Sequence, residues 1–160
     1  MKTIISNDFQ IGINKAKYIH DKYNIYFDLQ NLLKQIYEDN RIKIKYINQN
    51  NSPITKYDSI NNYYVILLNY NSSVALNNFN IALQLGHILL NHKMTNNKFI
   101  YNYKTSEYIQ SKGFALELLL PQKQFIQKYN ELDSDVYKLA KYFEVSPALI
   151  LVAMIMYKIK

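Results

Sequence analysis

The most constraining feature of the sequence is the mostly apolar run from Asn78 to His92. Its composition and length predict a helix, and a helix with so little polar surface has to be covered by other elements. Gly86 lies inside this helix, where glycine costs about 1 kcal/mol relative to alanine. A glycine at such a position implies the close approach of another backbone, which we expect to be the strand beneath the helix.

The spacing of apolar residues in the rest of the chain predicts further helices and two strands. Together these elements predict a single α+β domain over residues 1–160, in which a small sheet is packed by the apolar helix and further helices and the C-terminal part is helical. The predicted strands cover 41–47 and 63–68, and the predicted helices cover Asp8–Tyr23, 28–39, Ser106–Leu120 and two short segments of Leu132–Lys160 separated at Glu144.

Composition and hydropathy indicate the cellular compartment in which the protein is expected. Cysteine is absent, which excludes disulfides, thiolate metal ligands and a cysteine nucleophile. The residues that follow Met1 lack the apolar run of a signal peptide. The longest apolar run, Ala148–Tyr157, is shorter than the roughly 20 residues that cross a bilayer. We therefore expect a cytoplasmic protein without membrane attachment.

The basic charge of the chain raises the question of nucleic-acid binding. The formal net charge is +7, and Arg41 is the only arginine among the 19 basic residues. Arginine is the residue that pairs with guanine edges and phosphates through two parallel hydrogen bonds. The lysines are scattered, so we expect them on solvated faces, and nucleic-acid binding is kept as an alternative.

The segment Phe79–Asn91 is where catalytic residues would lie. It resembles the active-site helix of ImmA/IrrE-type zinc metallopeptidases, whose pattern is F-T-x-A-H-E-x-G-H-x-x-x-H. In that family two histidines on one helix face bind zinc, and the glutamate activates the metal-bound water. Leu83 stands at the position of the first histidine and Gln84 at that of the glutamate. Asn91 stands at the trailing histidine, and His92 follows one residue late. The residues that match the pattern are Phe79, Ala82, Gly86 and His87.

The resemblance continues downstream. The family has an E-A-N-x-F-A-x-x-L-L-M-P helix, whose first glutamate supplies the third zinc ligand. Gln110 stands at that ligand position, and residues 139–146 resemble the L-A-x-x-F-x-V-S segment of the family. The likeness therefore runs from about Phe9 to Tyr157. The downstream residues that match are Phe114, Ala115, Leu118, Leu119 and Pro121.

The departures from the pattern imply that the metal site is lost. A catalytic zinc takes three protein ligands and keeps one position open. Leucine has no lone pair to donate, and a neutral glutamine is a poor zinc ligand and no general base near pH 7. The resemblance therefore implies a pseudo-metallopeptidase without catalytic residues, zinc or another cofactor. Its degenerate positions are Leu83, Gln84, His87 and Gln110.

A rearranged metal site is the alternative, with His87 and Glu107 as candidate ligands. His92 follows His87 by five residues, about 140° around a continuous helix, so the two are not expected to share a face. We expect His87 to be buried and bonded to a neighbour, and His20 and His92 to be partly exposed. Glu117 is expected to make a structural hydrogen bond or to lie on an exposed face.

Residues 139–150 also look like a helix-turn-helix, a motif whose second helix can enter the DNA major groove. Here the second helix, Ala148–Tyr157, has no arginine, asparagine, glutamine or serine, so we do not expect it to read bases. It is apolar nearly all round, so it is either buried or partly covered by a partner or a second copy of the chain. The candidate partner-binding residues are Leu149, Leu151, Val152, Met154, Ile155 and Met156.

ImmA/IrrE-type peptidases typically lie beside a helix-turn-helix repressor on mobile elements and cleave it. The resemblance implies a catalytically inactive regulator or inhibitor of a phage or other mobile element, which binds a repressor or a host protein, including an anti-defence role. The first alternative is an active metallopeptidase that cleaves such a repressor with a rearranged zinc site. The second alternative is a nucleic-acid-binding protein.

Overall fold

This computed structural model describes residues 6–48, 53–99 and 102–159. Within these residues the chain forms seven helices and three strands. The α+β class and the small sheet predicted from the sequence are confirmed. The elements are α1 (Asn7–Tyr23), α2 (Leu29–Asn40), β1 (Ile42–Ile47), β2 (Ile54–Asp58), β3 (Tyr63–Asn69), α3 (Val74–Leu89), α4 (Ser106–Leu119), α5 (Gln122–Glu131), α6 (Val136–Phe143) and α7 (Pro147–Met156).

The sheet has the strand order β1-β3-β2. The central strand β3 pairs in parallel with β1 and antiparallel with β2. Its buried side chains Ile66 and Leu68 form one wall of the core, and Val65 is buried on the opposite face of the sheet. The strand β2 was not predicted from the sequence, because its five residues carry little apolar signal of their own.

The apolar helix is shifted relative to its predicted bounds. Ser73 caps its amino end by accepting a hydrogen bond from the backbone N–H of Leu76, so α3 begins at Val74 rather than at Asn78. It ends at Leu89, and Asn91 then takes the left-handed conformation, with φ of 56°. His92 therefore lies beyond the end of the helix and not on it.

Helix α4 lies at the centre of the helical layer, between α1 and α3, and all three glycines of the chain lie at its two crossings. A Cβ on Gly12 would overlap the carbonyl oxygen of Gln110, and a Cβ on Gly113 would overlap the carbonyl oxygen of Phe9. A Cβ on Gly86 would come within 2.9 Å of the Cα of Ser111. The expectation that a strand approaches Gly86 was wrong, because the neighbouring backbone belongs to α4.

The C-terminal part is helical as predicted, and it contains one helix, α5, before the two that were expected. The polar segment α5 starts directly after Pro121, the residue that ends the preceding helical region. The chain bends by 103° between α6 and α7. Within the described residues no single helix is long and apolar enough to cross a membrane. Helices α6 and α7 taken together have the length and composition of a membrane span, but they are separated by this bend.

We predict that Gly113→Ala lowers the free energy of unfolding by about 2 kcal/mol or more, because the new methyl group meets the carbonyl oxygen of Phe9, which is backbone and cannot rotate away. In an unobstructed helix the same change stabilises by about 1 kcal/mol, so the sign is diagnostic. Urea unfolding followed by circular dichroism measures the difference. Lys123→Ala, at an exposed position of α5, is the control and should change stability by less than about 0.5 kcal/mol, because lysine and alanine have similar helix propensities. A neutral or stabilising Gly113→Ala would contradict the close crossing.

Candidate functional site

The positions that resemble a metal site lie where α3 faces β2 on one side and α4 on the other. Leu83, Gln84 and His87 are all buried. Leu83 is fully enclosed, so an apolar side chain occupies the place of the first histidine. Gln110, on α4, is half-buried and faces the end of α3 through His92.

The Gln84 side chain is held by the sheet. Thr55, a buried residue of β2, donates its hydroxyl hydrogen to Oε1 of Gln84 over 2.6 Å. The Nε2 atom of Gln84 is buried and has no hydrogen-bond partner among the described residues. The carbonyl oxygen is therefore occupied by a structural hydrogen bond, and the amide presents only N–H donors to the interior.

His92 departs most from the sequence-based expectation. Because the chain turns back at Asn91, the His92 ring returns to α3, and its Nδ1 lies 3.0 Å from Nδ1 of His87. The prediction that the two histidines point in different directions was wrong, since it assumed a continuous helix through residue 92. His92 is half-buried, so the expectation that it is partly exposed is confirmed.

The two histidines begin a hydrogen-bonded chain that ends on a carboxylate. Nε2 of His92 lies 2.9 Å from Oε1 of Gln110, and Nε2 of Gln110 donates to Asp8 over 2.9 Å. The Asp8 carboxylate only accepts, which fixes the orientation of the Gln110 amide. His92 therefore carries its proton on Nε2, and its Nδ1 accepts the proton of His87 Nδ1. This assignment leaves the lone pair of His87 on Nε2.

His87 is an uncharged histidine in an apolar setting. Its ring stacks on Phe99 with centroids 4.9 Å apart, and its Nε2 atom has no partner among the described residues. Burial, and to a smaller extent the charge of a protonated His92, lower the pKa of His87 from 6.5 to about 4. The expectation of a buried His87 bonded to a neighbour is confirmed, with His92 as that neighbour.

Ser111 adds a hydroxyl to this chain but no nucleophile. Its Oγ lies 3.4 Å from Nδ1 of His92, and the residue is fully buried. The same nitrogen already accepts from His87, and the other ring nitrogen of His92 faces a neutral amide rather than a carboxylate. The arrangement therefore lacks an accessible hydroxyl and an acid that could stabilise an imidazolium.

The residues at this site do not fit a catalytic zinc. Leu83 cannot ligate, and the oxygen of Gln110 is engaged by His92. Glu107 is exposed in the first turn of α4. Within the described ranges no group of three or more histidine, cysteine, aspartate or glutamate residues is placed to hold a metal ion. A single imidazole nitrogen is far short of the three protein ligands that such a site takes.

A second buried polar cluster joins α4 to the C-terminal helix. Glu117 accepts hydrogen bonds from the backbone N–H of Gln122 and from the hydroxyl of Tyr157, at 3.3 and 2.9 Å. Burial raises the pKa of this carboxyl. The expected structural hydrogen bond is confirmed, although the sequence did not indicate Tyr157 as its donor. His20, expected to be partly exposed, is buried, and its ring nitrogens face the carbonyl oxygens of Ile25 and Glu117.

Helix α7 divides the six candidate partner-binding residues into two groups. Leu149, Met154 and Met156 are half-buried and pack on the core. The other three are exposed, with relative accessibilities of 50% for Leu151, 42% for Val152 and 59% for Ile155. Beside them lies a groove of about 300 Å³ between α7 and helices α1, α3 and α4. One side of α7 is thus buried and the other is an exposed apolar strip.

We predict that His87 makes stability depend on pH between about 6.5 and 4. In this range the unfolded histidine binds a proton and the folded one does not, so the stabilisation is complete above pH 6.5 and is lost as pH falls. The loss between pH 7 and pH 5 should be about 2 kcal/mol larger in the native chain than in His87→Gln. The raised pKa of Glu117 acts with the opposite sign, and the comparison cancels it. Urea unfolding at both pH values measures the difference, and equal losses in the two chains would contradict a buried neutral His87.

Comparison with known proteins places this geometry in a family. No curated protein matches the chain. Among solved structures, a Mycobacterium tuberculosis transcriptional regulator superposes with a TM-score of 0.62 at 15% sequence identity. The alignment covers 88% of this chain and 44% of that one, so the chain spans less than half the length of the regulator. At this identity the likeness shows a shared fold. A family model, the IrrE N-terminal-like domain, matches residues 37–154, which include α3, α4 and the whole of the degenerate site. The chain therefore belongs to the family of IrrE N-terminal-like domains.

Proposed function

We propose that this chain is a catalytically inactive member of its family and acts as a regulator or inhibitor by binding another protein. The observation that carries the proposal is the hydrogen bonding at the degenerate site. Two glutamines that stand at metallopeptidase positions are bonded to neighbours: Gln84 to Thr55 through its oxygen, and Gln110 to His92 and Asp8. A buried polar group that loses such a partner costs about 1–3 kcal/mol. The replacements therefore support stability in place of chemistry.

The proposed binding surface is the exposed strip of α7, formed by Leu151, Val152 and Ile155. Apolar side chains at neighbouring exposed positions favour contact with another apolar surface, and the adjacent groove adds room for an inserted side chain. The partner we propose is a protein, either a helix-turn-helix repressor or a host factor. A role in a phage or another mobile element, including an anti-defence role, is part of this proposal because the family resemblance implies it.

The nucleic-acid alternative has one observation in its favour. Helices α6 and α7 are joined by residues 144–146, and the chain bends by 103° between them, as in a helix-turn-helix. The face that would enter a groove, however, presents the leucine, valine and isoleucine of the α7 strip. These side chains cannot hydrogen-bond to base edges, and lysines alone would give binding without sequence preference. The geometry therefore supports a protein-binding use of the same helices better than a DNA-reading one.

The metal content of the purified chain tests the loss of chemistry. We expect far less than one zinc per molecule in the native chain, because it offers a single unengaged imidazole nitrogen. The variant Leu83→His, Gln84→Glu, Gln110→Glu restores the family's ligand set and should bind about one zinc per molecule. Adding His87→Ala to that variant is the matched control and should remove the metal again. Stoichiometric zinc in the native chain would overturn the proposal and favour the rearranged metallopeptidase.

The partner-binding role predicts a defined effect of Ile155→Lys. This change should leave the thermal unfolding midpoint nearly unchanged, because Ile155 is exposed, and should abolish co-elution with a bound partner. Ile60→Lys, the same change at a 93% exposed position in the β2–β3 turn, is the control and should leave binding intact. Size-exclusion chromatography with light scattering measures both, with a helix-turn-helix repressor as the first partner tried.

Three results would speak against parts of this role. Cleavage of the bound repressor that a chelator abolishes would favour the active metallopeptidase. Binding of bare duplex DNA at physiological salt, unaffected by Ile155→Lys, would favour the nucleic-acid alternative. A dimer of the chain alone that Ile155→Lys dissociates would assign the strip to a second copy of the chain instead.

A further inference from the structure

We propose that a cavity beside the amino end of α2 is a binding site for a guanidinium group. The cavity has a volume of about 280 Å³ and lies between residues 25–32, the carboxyl end of α4, α5 and the carboxyl end of α6. It contains none of the residues of the degenerate metal site or of the α7 strip. The inference is therefore independent of the function proposed above.

Four phenylalanine and tyrosine residues line the cavity: Tyr26, Phe27, Tyr142 and the buried Phe143. Phe27 is 63% exposed and Tyr142 is 45% exposed, so their rings are accessible to a ligand. The ammonium group of Lys128 lies 4.8 Å from the centroid of the Tyr142 ring and covers one of its faces, so a ligand would stack on the face that Lys128 leaves free. Aromatic faces attract cations, and a flat guanidinium also stacks on them.

The charge of the lining selects a cation. Asp28 and Glu144 are among the residues that line the cavity, and no lysine or arginine is, although the chain carries a net charge of +7. One oxygen of Asp28 caps α2 by accepting from the backbone N–H of Asn31, which leaves its second oxygen available. The Glu144 side chain has no hydrogen bond or ion pair in the described residues. The cavity is thus a locally acidic site on a basic protein.

A buried amide points to a ligand with N–H groups. Gln124 is 7% exposed and lines the cavity, and its carboxamide has no hydrogen-bond partner among the described residues. Its amide atoms are not among the buried atoms without a partner, so solvent in the cavity reaches them, and a ligand that donates to the oxygen would take the place of that solvent. His20 also lines the cavity, but its ring nitrogens already face two carbonyl oxygens. The lining therefore offers oxygen acceptors to a ligand, and His20 does not offer it a hydrogen-bond donor.

These features together favour guanidinium over ammonium. A guanidinium is planar, carries five N–H donors and is weakly hydrated, so it can stack on a ring while it bonds to carboxylate and amide oxygens. An ammonium is compact and strongly hydrated, and it would use only part of this lining. The ligand is an arginine side chain of a polypeptide or a small free guanidine.

Titration of the ¹⁵N-labelled chain with N-acetyl-arginine methylamide tests the site. We expect saturable shifts of the amide signals of residues 26–30, 124 and 142–144. N-acetyl-citrulline methylamide has nearly the same shape without the charge, and it should bind at least about tenfold more weakly, as expected when charge-assisted hydrogen bonds are lost. N-acetyl-lysine methylamide should also bind more weakly than the arginine compound.

Variants assign the binding to the cavity. Tyr142→Ala and Glu144→Gln should each weaken binding about three- to tenfold. Tyr137→Ala, on the same helix, and Glu38→Gln, which makes the same charge change outside the cavity, are the matched controls and should bind as the native chain does. Thermal unfolding of each variant verifies that it is folded.

The titrations distinguish results that support the guanidinium site from results that overturn it. Tighter binding of agmatine than of the capped arginine would support the site and assign it to a free guanidine rather than to a polypeptide. Equal binding of the citrulline compound would overturn the proposal, because the cavity would then be an apolar hole without charge selection. Equal weakening by Glu144→Gln and Glu38→Gln, or no saturable shift at about 10 mM ligand, would overturn it as well.

Discussion

The close crossing of α4 with α1 and α3 is the constraint on which the rest of the structure depends. A chain of 160 residues with three glycines places all of them at these crossings. Elsewhere it uses asparagine, lysine, arginine and acidic residues, together with a serine, for its left-handed backbone positions. Because helix backbones can approach this closely only without a Cβ, the glycines fix the positions of Gln110, Ser111 and Glu117 on α4 relative to the neighbouring helices. Both buried polar clusters therefore follow from the same packing.

The degenerate site is built from buried side chains that are largely held by hydrogen bonds within the protein. A metal-binding histidine usually donates its second ring N–H to a fixed acceptor. His87 keeps that arrangement, since its Nδ1–H is held by His92. Around it, leucine fills one ligand position and the two glutamines are tied to Thr55, His92 and Asp8. The interior thus contains one imidazole lone pair, on Nε2 of His87, and one amide N–H group, on Gln84, without a partner among the described residues.

Much of the fold could be predicted from local patterns, and the parts that could not depend on tertiary contacts. Strict alternation in β1 and the apolar run of β3 are visible in the sequence, whereas β2 exists because it pairs with β3 and buries Thr55 against Gln84. At the site, the identities of residues 83, 84 and 110 already indicated the missing ligands. The return of His92 could not be foreseen, because it depends on the helix ending at Leu89 and on the left-handed Asn91.

The histidine side chains offer the most direct test of the claim that hydrogen bonding has replaced the metal. Long-range ¹H–¹⁵N spectra at neutral pH, recorded before and after addition of Zn²⁺, report which ring nitrogen carries the proton and whether either binds metal. The account predicts a proton on Nδ1 of His87 and on Nε2 of His92, with both sets of signals unchanged by zinc. A proton on Nε2 of His87, or a zinc-dependent shift of that nitrogen, would contradict it.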